Sequence, residues 1–217
     1  MCKLNLKGLS KDSTSGCYMN RGILVTIEGI DGAGKTTQAK AIVRWLKRNG
    51  YAAKYTSEPT SSGVGRLLGK PDFTASPALE ALLFAADRME HVRRVIEPGL
   101  KKGYVIVSDR YVHSSIAYQG AMLGDMDWVR TINKFVPKPD VAFLLDVEPR
   151  VALSRIKRPK SRFERLELLE AVRNAYLDMA TSGELIMLDG TRPPNQVTEE
   201  LLAKLRPFLP NPKCKGP

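Results

Sequence analysis

Eight consecutive residues combine glycines with a lysine and a threonine, a combination that suits phosphate binding. They fit the pattern G-x-x-x-x-G-K-[ST] and are Gly29, Ile30, Asp31, Gly32, Ala33, Gly34, Lys35 and Thr36. Glycines let backbone N–H groups turn inward around phosphate oxygens, and the start of the following helix adds partial positive charge. Lys35 is expected to reach the β- and γ-phosphates, and the Thr36 hydroxyl to bind Mg²⁺. This P-loop predicts binding of ATP or GTP with magnesium, but it does not identify the reaction.

A carboxylate and a guanidinium stand together at the end of a later apolar run, as Asp109 and Arg110. A carboxylate at the tip of a strand beside the P-loop can hold magnesium through water. A neighbouring arginine can grip a phosphate with two parallel N–H groups. The alternative is an ordinary ion pair between Asp109 and an arginine on the surface.

Short apolar runs alternate with longer amphipathic segments, and this alternation predicts the elements that position the two motifs. The predicted strands are Ile23–Glu28, Ala52–Thr56, Tyr104–Ser108, Val141–Val147 and Glu184–Leu188. The predicted helices are Lys35–Asn49, Pro77–Lys102, Val112–Leu123, Met126–Phe135, Pro149–Ile156, Glu164–Thr181 and Pro194–Phe208. Buried strands separated by helices indicate a three-layer α/β P-loop NTPase fold, in which helices cover both faces of a five-stranded parallel sheet. Ligands of such sheets bind at the carboxyl ends of the strands.

Composition supports a globular protein with an excess of positive charge. The chain has 217 residues, of which 43% are hydrophobic and 26% are charged, so a disordered or fibrous protein is excluded. Its 34 basic and 23 acidic residues give a net charge of +11. That charge suits nucleic acid, an anionic membrane or nucleotide phosphates, and composition alone does not choose among them.

The ends of the chain differ from its middle. We expect residues 1–20 to be a flexible extension, residues 21–209 to form the kinase-like domain, and residues 210–217 to be a tail. The cysteines, Cys2, Cys17 and Cys214, are too widely spaced for a zinc site and indicate a reducing compartment. Because no signal peptide or long apolar stretch is visible, we expect a cytoplasmic protein without a membrane span.

Taken in order, four motifs resemble those of thymidylate kinases. They are the P-loop, Leu83-Phe84-Ala85-Ala86-Asp87-Arg88, Asp109-Arg110-Tyr111 and Ala117-Tyr118-Gln119. The similarity extends from about Gly22 to Leu205. The resemblance implies phosphoryl transfer from ATP to dTMP for dTTP biosynthesis, with Mg²⁺ accompanying ATP and a homodimer as the assembly. Neither a membrane nor a nucleic acid is an expected partner.

For the thymine base and its sugar, the resemblance implies a set of contacts on two helices. Phe84 would stack on the base, and Arg88, one helical turn later on the same face, would hydrogen-bond it. Ser115 would lie near the polar edge of the base, Tyr118 would pack under the sugar, and Gln119 would lie nearby. The alternative interpretation places Phe84 in the core beside a surface Arg88 and makes Tyr118 a core aromatic residue.

For the phosphates, the resemblance implies that Arg110 clamps the acceptor and that Asp31 lies near the phosphates and the metal. Glu58, before Pro59, stands where these kinases carry an acidic-proline turn that contacts substrate. Lys35, Asp31 and Arg110 are the predicted catalytic groups of the strand ends, whereas Glu58 is predicted only to bind substrate.

The turn at Glu58 departs from the pattern of many relatives, which carry arginine before the acid and glycines after the proline. Here Ser57, Thr60 and Ser61 stand at those positions. Phosphate contacts from this loop are therefore in doubt, although Arg66 could supply one.

Residues 155–163 form a basic segment that matches the lid of these kinases. The variable part of the P-loop, Gly32 and Ala33, lacks an arginine, so a transition-state arginine must come from elsewhere. The candidates are Arg155, Arg158 and Arg162, with Arg158 and Arg162 predicted to be catalytic. A solvated, charged turn is the alternative.

Two other functions remain open at this point. One is a nucleoside-monophosphate or deoxynucleoside kinase with a different acceptor. The other is a P-loop ATPase that binds nucleic acid, which the positive charge would suit. Against the second, the sequence shows no DNA-binding module, and its arginines lie where two small anions would meet.

Overall fold

The computed structural model describes residues 21–70, 72–158 and 161–209. In these stretches five strands form one sheet, all parallel, in the order β2-β3-β1-β4-β5. The strands are β1 (Ile23–Glu28), β2 (Ala53–Ser57), β3 (Val105–Asp109), β4 (Val141–Asp146) and β5 (Ile186–Asp189). The predicted five-stranded parallel sheet is confirmed, with strand ends shifted by at most two residues. The expected extension (1–20) and tail (210–217) lie outside the described residues.

Helices cover both faces of the sheet, as predicted. They are α1 (Lys35–Arg48), α2 (Gly63–Leu68), α3 (Pro77–His91), α4 (Glu97–Lys101), α5 (Val112–Leu123), α6 (Met126–Ile132), α7 (Pro149–Ser154), α8 (Leu166–Thr181) and α9 (Pro194–Leu205). A π-helical segment, Val92–Ile96, joins α3 to α4, so the predicted helix Pro77–Lys102 is continuous but irregular. The short helix α2 was not predicted. In the part of the chain that the structure describes, no helix has the length and apolarity needed to cross a membrane.

The alternating side chains of β1 face two different apolar clusters. Val25 and Ile27 belong to the larger cluster, which also contains the buried face of α1. Leu24 belongs to a smaller cluster, with Ile96 and Leu100 on the other face of the sheet. Since consecutive side chains of a strand point to opposite faces, this pattern packs helices against both sides of the sheet.

Strand register brings the chemical residues to one edge of the sheet. Asp109 pairs with Ile27 on β1 and with Ser57 on β2. The backbone N–H of Glu58 donates to the carbonyl of Asp109 over 3.1 Å. The P-loop, Glu58 and Asp109 therefore meet at the carboxyl ends of β1, β2 and β3, where a parallel sheet binds its ligands.

Candidate active site

The P-loop backbone has a shape that favours glycine at three positions. Gly29, Gly32 and Gly34 have φ values of 137°, 85° and 94°, which side chains with a Cβ rarely adopt. A Cβ on Gly32 would also collide with the carbonyl oxygen of Ala152 on α7. The side chains of Ile30 and Ala33 are buried in the core. These two residues can therefore offer only backbone groups to a phosphate.

Lys35 is held inside the P-loop by backbone and carboxylate oxygens. Its Nζ donates to the carbonyl of Ile30 over 2.7 Å and lies 4.0 Å from Oδ1 of Asp31. Burial lowers the pKa of Lys35 to about 8, and the positive charge of Arg110 adds to this effect, whereas nearby carboxylates oppose it. The lysine is therefore a cation in a partly desolvated position, where an incoming phosphate would stabilise its charge.

Arg110 lies across the mouth of the P-loop because its backbone has an unusual conformation. Its φ of 72° is the only positive value at a non-glycine position among the described residues. Its Nη2 donates to Oδ1 of Asp31 over 2.5 Å, and its guanidinium lies over the ring of Tyr118 at 5.0 Å. Burial alone would raise the pKa of Asp31, but Arg110 and Lys35 outweigh it and lower that pKa to about 2. Asp31 is therefore ionised at neutral pH.

Thr36 and Asp109 form the pair of oxygen ligands expected for magnesium. The Thr36 hydroxyl donates to Oδ2 of Asp109, and the hydroxyl of Tyr55 lies 3.5 Å from the same oxygen. Hydroxyl and carboxylate oxygens suit Mg²⁺. No group of three or more His, Cys, Asp or Glu residues could hold a metal in the described stretches. A magnesium ion here would therefore need phosphate and water oxygens to complete its shell.

Two cavities open at this edge of the sheet. The P-loop cavity, of about 560 Å³, is lined by P-loop residues, Tyr55, Asp109 and residues 155–158. The aromatic cavity, of about 610 Å³, is lined by rings and by polar groups of α3 and α5. Of the described residues, four line both cavities, and they are Asp31, Glu58, Arg110 and Arg158. The two cavities are therefore adjacent, and charged groups of both signs line their junction.

Three aromatic residues form the wall of the aromatic cavity. Phe84 is half-buried and lies outside the apolar clusters, whereas Tyr118 and Phe163 pack edge to face with ring centroids 5.8 Å apart. The predicted polar residues Ser115 and Gln119, both buried, also line this cavity. The alternative of a core Phe84 beside a surface Arg88 is wrong, since Arg88 is only 1% exposed. Phe163 was not among the predicted site residues.

Arg88 is bound on every side by polar groups. Its Nε donates to Glu58 over 2.8 Å, and its Nη1 donates to Oδ1 of Asn133 over 2.6 Å. Its Nη2 donates to the Ser115 hydroxyl over 2.9 Å and to the carbonyl of Tyr111 over 3.2 Å. Since arginine has five N–H groups, at most one remains for a ligand. Arg88 joins β2, α3, α5 and the end of α6 into one wall of the aromatic cavity.

Glu58 has a second buried partner, which the sequence did not reveal. Nδ1 of His91 lies 2.9 Å from Oε1 of Glu58, and its Nε2 lies 2.5 Å from the Thr56 hydroxyl. His91 is three residues after Arg88, so both point from the same face of α3. The spacing could have suggested this pair, but nothing in the sequence named Glu58 as the shared partner.

The turn that follows Glu58, where the sequence departs from that of many relatives, is held in place by the buried carboxylate of Asp87. Oδ1 of Asp87 accepts from the hydroxyls of Thr60 and Ser62, each over 2.6 Å. Ser57 lines the P-loop cavity. Arg66 donates to the carbonyl of Ser61 over 2.5 Å, is exposed, and does not line either active-site cavity. The hydroxyls of Thr60 and Ser62 therefore bind within the protein.

The described arginines of the basic segment occupy three different positions. Arg155 donates to the carbonyl of Gly190 over 2.9 Å and lines only the P-loop cavity. Arg158, which pairs with Glu164 at 2.6 Å, lines both cavities. Arg162 pairs with the buried carboxylate of Glu80 and lines only the aromatic cavity.

Comparisons of sequence identify close relatives of this site and fold. A sequence profile of the family described as Thymidylate kinase matches residues 27–201. A probable thymidylate kinase from Pyrobaculum calidifontis is 41% identical over 186 residues, which are 83% of this chain and 94% of that one. A probable thymidylate kinase from Archaeoglobus fulgidus is 43% identical over 190 residues, which are 86% of this chain and 96% of that one.

Comparison of structures gives the same family. A thymidylate kinase from Candida albicans, described as having broad substrate specificity, superposes with a TM-score of 0.75 at 27% sequence identity. The match covers 87% of this chain and 92% of that chain.

Proposed function

We propose how the two cavities of this chain, which belongs to the thymidylate kinase family, divide its reaction between them. In that reaction the chain transfers a phosphoryl group from ATP to dTMP and gives dTDP and ADP. The P-loop cavity binds the triphosphate of ATP, and the aromatic cavity binds dTMP. The observation that carries this proposal is their junction at Asp31, Arg110 and Arg158. Phosphoryl transfer needs donor and acceptor oxygens in line, with cations around the moving group.

On the donor side, P-loop N–H groups and Lys35 bind the β- and γ-phosphates. Thr36 and Asp109 would hold Mg²⁺, directly or through water, and the ion would supply neutralising charge on the phosphate oxygens. The hydrogen bond between the two side chains supports this assignment, because it brings both oxygens to one place. Asp31 fixes Arg110 and stays ionised between the two nucleotides.

On the acceptor side, Phe84 stacks on the thymine ring, and Tyr118 packs against the sugar. Arg110 grips the phosphate of dTMP, since its guanidinium lies at the junction and presents N–H groups there. Gln119 supplies a polar contact, and Ser115 and Glu58 act mainly through Arg88. Arg88 is a positioning residue with at most one N–H left for the base.

Phe84→Ala is expected to weaken dTMP binding about 5- to 150-fold, because base–aromatic stacking contributes ~1–3 kcal/mol. Binding of a non-hydrolysable ATP analogue should stay close to that of the unmodified protein. Calorimetric titration with each nucleotide measures both affinities.

The matched control for Phe84 is Phe135→Ala, which truncates a phenylalanine that is 73% exposed and lines neither active-site cavity. It should leave both affinities unchanged. Equal losses for the two nucleotides in Phe84→Ala would contradict the base-stacking role, and so would a fall in melting temperature without a loss of dTMP affinity.

The positions of the lid arginines predict different kinetic effects. Arg158→Ala should lower kcat by roughly 10- to 100-fold. This loss is smaller than the roughly 10²- to 10³-fold loss of kcat expected when a fully buried donor is removed, because the Arg158 side chain is largely exposed. Arg162→Ala should mainly raise the KM for dTMP, since Arg162 lies on the aromatic cavity. Steady-state kinetics on both variants test this, and a kcat loss confined to Arg162→Ala would reverse the assignment.

A homodimer would cover an apolar stripe on α3. Leu79, Leu82 and Met89 are 49%, 47% and 49% exposed, and their spacing puts them on one face of the helix. Such a stripe is suited to pairing with its own copy across a two-fold axis. Leu82→Glu should therefore give a monomer in sedimentation equilibrium, whereas Met187→Glu, at an exposed position on β5, should not. A dimer that persists in Leu82→Glu would place the interface elsewhere.

Cellular setting follows from the reaction. We place the protein in the cytoplasm, where ATP and dTMP are available for dTTP synthesis, in agreement with the dispersed cysteines of the sequence. We further propose that the basic segment 155–163 acts as the lid of the kinase domain, residues 21–209; positions 159 and 160 of this segment lie outside the described residues.

A further inference from the structure

A third cavity lies away from the two nucleotide cavities. This α5 cavity, of about 710 Å³, is enclosed by α5, by the segment that joins α6 to β4, and by the start of β5. It shares no lining residue with the P-loop cavity or the aromatic cavity. Its volume falls within the ~300–1,000 Å³ of ordinary ligand pockets.

The lining of the α5 cavity combines an apolar floor with a positive rim. Ile116 and Ile186 belong to the apolar part. At the rim, Arg130 and Glu184 form a two-pronged ion pair with both contacts at 2.8 Å, so their charges cancel. Two further cations, Lys134 and Lys138, line the cavity with a single remaining carboxylate, that of Asp140, which accepts from a backbone N–H. An amphipathic anion complements this surface better than a neutral or cationic molecule.

One wall of the cavity carries the buried side chain of His113, whose Nε2 lies 4.0 Å from Oε2 of Glu184 and whose other ring nitrogen has an unused hydrogen-bonding capacity. His113 has 8% of its side chain exposed, and its Nδ1 lies 3.7 Å from Oε1 of Glu28. In the described part of the chain, neither of these two atoms has a hydrogen-bond partner. A small movement of the ring would therefore change the contacts of Glu28.

Two walls of the α5 cavity are linked through hydrogen bonds to the arginines of the dTMP site. Next to His113, the Ser114 hydroxyl donates to Glu28 over 2.6 Å and accepts from Arg110 over 3.2 Å. On the other wall, Asn133 accepts from Arg88 over 2.6 Å. A ligand that orders or displaces these walls would act on both arginines through one or two intervening side chains.

We propose that the α5 cavity is a regulatory site for a small amphipathic anion, and that its occupancy is coupled to dTMP binding. The ligand has a ring system or short apolar chain for the floor and one carboxylate, sulfonate or phosphate for the rim. The coupling to dTMP rests on the assignment of the aromatic cavity as the acceptor site, whereas binding of the anion itself does not.

Binding is tested with 1-anilinonaphthalene-8-sulfonate, a fluorescent probe with fused rings and one anionic group. The full chain is first saturated with dTMP and a non-hydrolysable ATP analogue, so that both nucleotide cavities are filled. We expect a single class of probe site. Its affinity should fall at least about tenfold in Ile186→Trp, which fills the cavity, and should be unchanged in Met187→Trp. Met187, the next residue of β5, is exposed and points to the opposite face.

Further variants show whether a loss of probe binding in Ile186→Trp comes from filling the cavity or from a folding defect. Val136→Trp fills the cavity from the segment before β4 and should weaken probe binding similarly, with an unchanged melting temperature. Lys134→Ala combined with Lys138→Ala should weaken binding and reduce its dependence on salt. Probe binding that none of these variants alters would overturn the proposed site.

Coupling is tested by kinetics. Saturating probe should change the KM for dTMP by at least about fivefold, the lower end of ordinary allosteric coupling, and the change should be absent in Ile186→Trp. By linkage, dTMP should change the dissociation constant of the probe by the same factor as the probe changes the dissociation constant of dTMP, which calorimetric titration measures. Binding without any change in KM would overturn the regulatory role. If Phe84→Ala leaves the affinity for dTMP unchanged while the probe still binds, the assignment of the acceptor site fails and the binding of the anion stands.

Discussion

Lys35→Ala is expected to reduce kcat by at least about 10²-fold, by analogy with removal of one preorganised donor from a transition state. Lys35 is buried beside Asp31 and points into the P-loop, so the charge that it offers is already in place before the phosphoryl group moves. Water admitted by the truncation would be a weaker and less ordered substitute. The fold should survive, because the P-loop backbone is shaped by its glycines. Steady-state kinetics and a melting curve on the same preparation measure the two effects.

Two further variants separate charge from shape. Lys35→Met keeps most of the side-chain volume and should lose as much turnover as Lys35→Ala. Lys47→Ala removes an exposed lysine from the end of the same helix and should have no effect on kcat. Near-normal turnover in a folded Lys35→Met would mean that the lysine does not act on the transferred phosphate.

Local sequence was enough to predict where the P-loop, Thr36 and Asp109 lie in the fold. The P-loop motif specifies a strand, a glycine turn and a helix within about twenty residues, so its contacts depend little on distant parts of the chain. Asp109 was predicted from its place at the end of a buried strand, and the register of β1 with β3 confirms that this strand lies beside the P-loop. The hydrogen bond from Thr36 to Asp109 follows from that register.

The short helix α2 and the π-helical segment had no local sequence motif that predicts them. In α2, Gly63 and Gly65 break the usual helix pattern, and the Ser62 side chain caps the helix by accepting from the N–H of Gly65 over 2.9 Å. The π-helical segment Val92–Ile96 lies inside a continuous amphipathic helix, where the apolar periodicity does not distinguish it from regular α-helix.

The acceptor side depended on contacts between distant residues. Arginine is rarely buried unless it is paired, so a surface position was the reasonable alternative for Arg88. Its partners Glu58 and Asn133 lie 30 and 45 residues away along the chain. Only the folded chain shows that one arginine joins four elements, and that at most one of its N–H groups is left for a ligand.

Because Arg88 is buried, we expect Arg88→Met to lower the free energy of unfolding by about 3–5 kcal/mol. This is the usual cost of removing one partner of a buried ion pair. Methionine fills part of the space but leaves the Glu58 carboxylate with only His91, and leaves Asn133 and Ser115 without their donor. Urea denaturation of the two proteins measures the difference in the free energy of unfolding. Arg93→Met is the control, since Arg93 is 68% exposed and pairs with Glu90 on the surface, where such pairs contribute only about 0–1 kcal/mol.

A double variant distinguishes the buried charge from simple loss of packing. If the main cost of Arg88→Met is the uncompensated Glu58 carboxylate, then adding Glu58→Gln should restore part of the stability, and the two changes should not be additive. Additive losses would mean that Arg88 stabilises the fold through packing rather than through its charge. In the ion-pair case, dTMP binding should remain weak in the double variant even as stability recovers, because the wall that orients Ser115 is still missing. Recovery of both stability and dTMP affinity would show that Arg88 has no positioning role in the acceptor site.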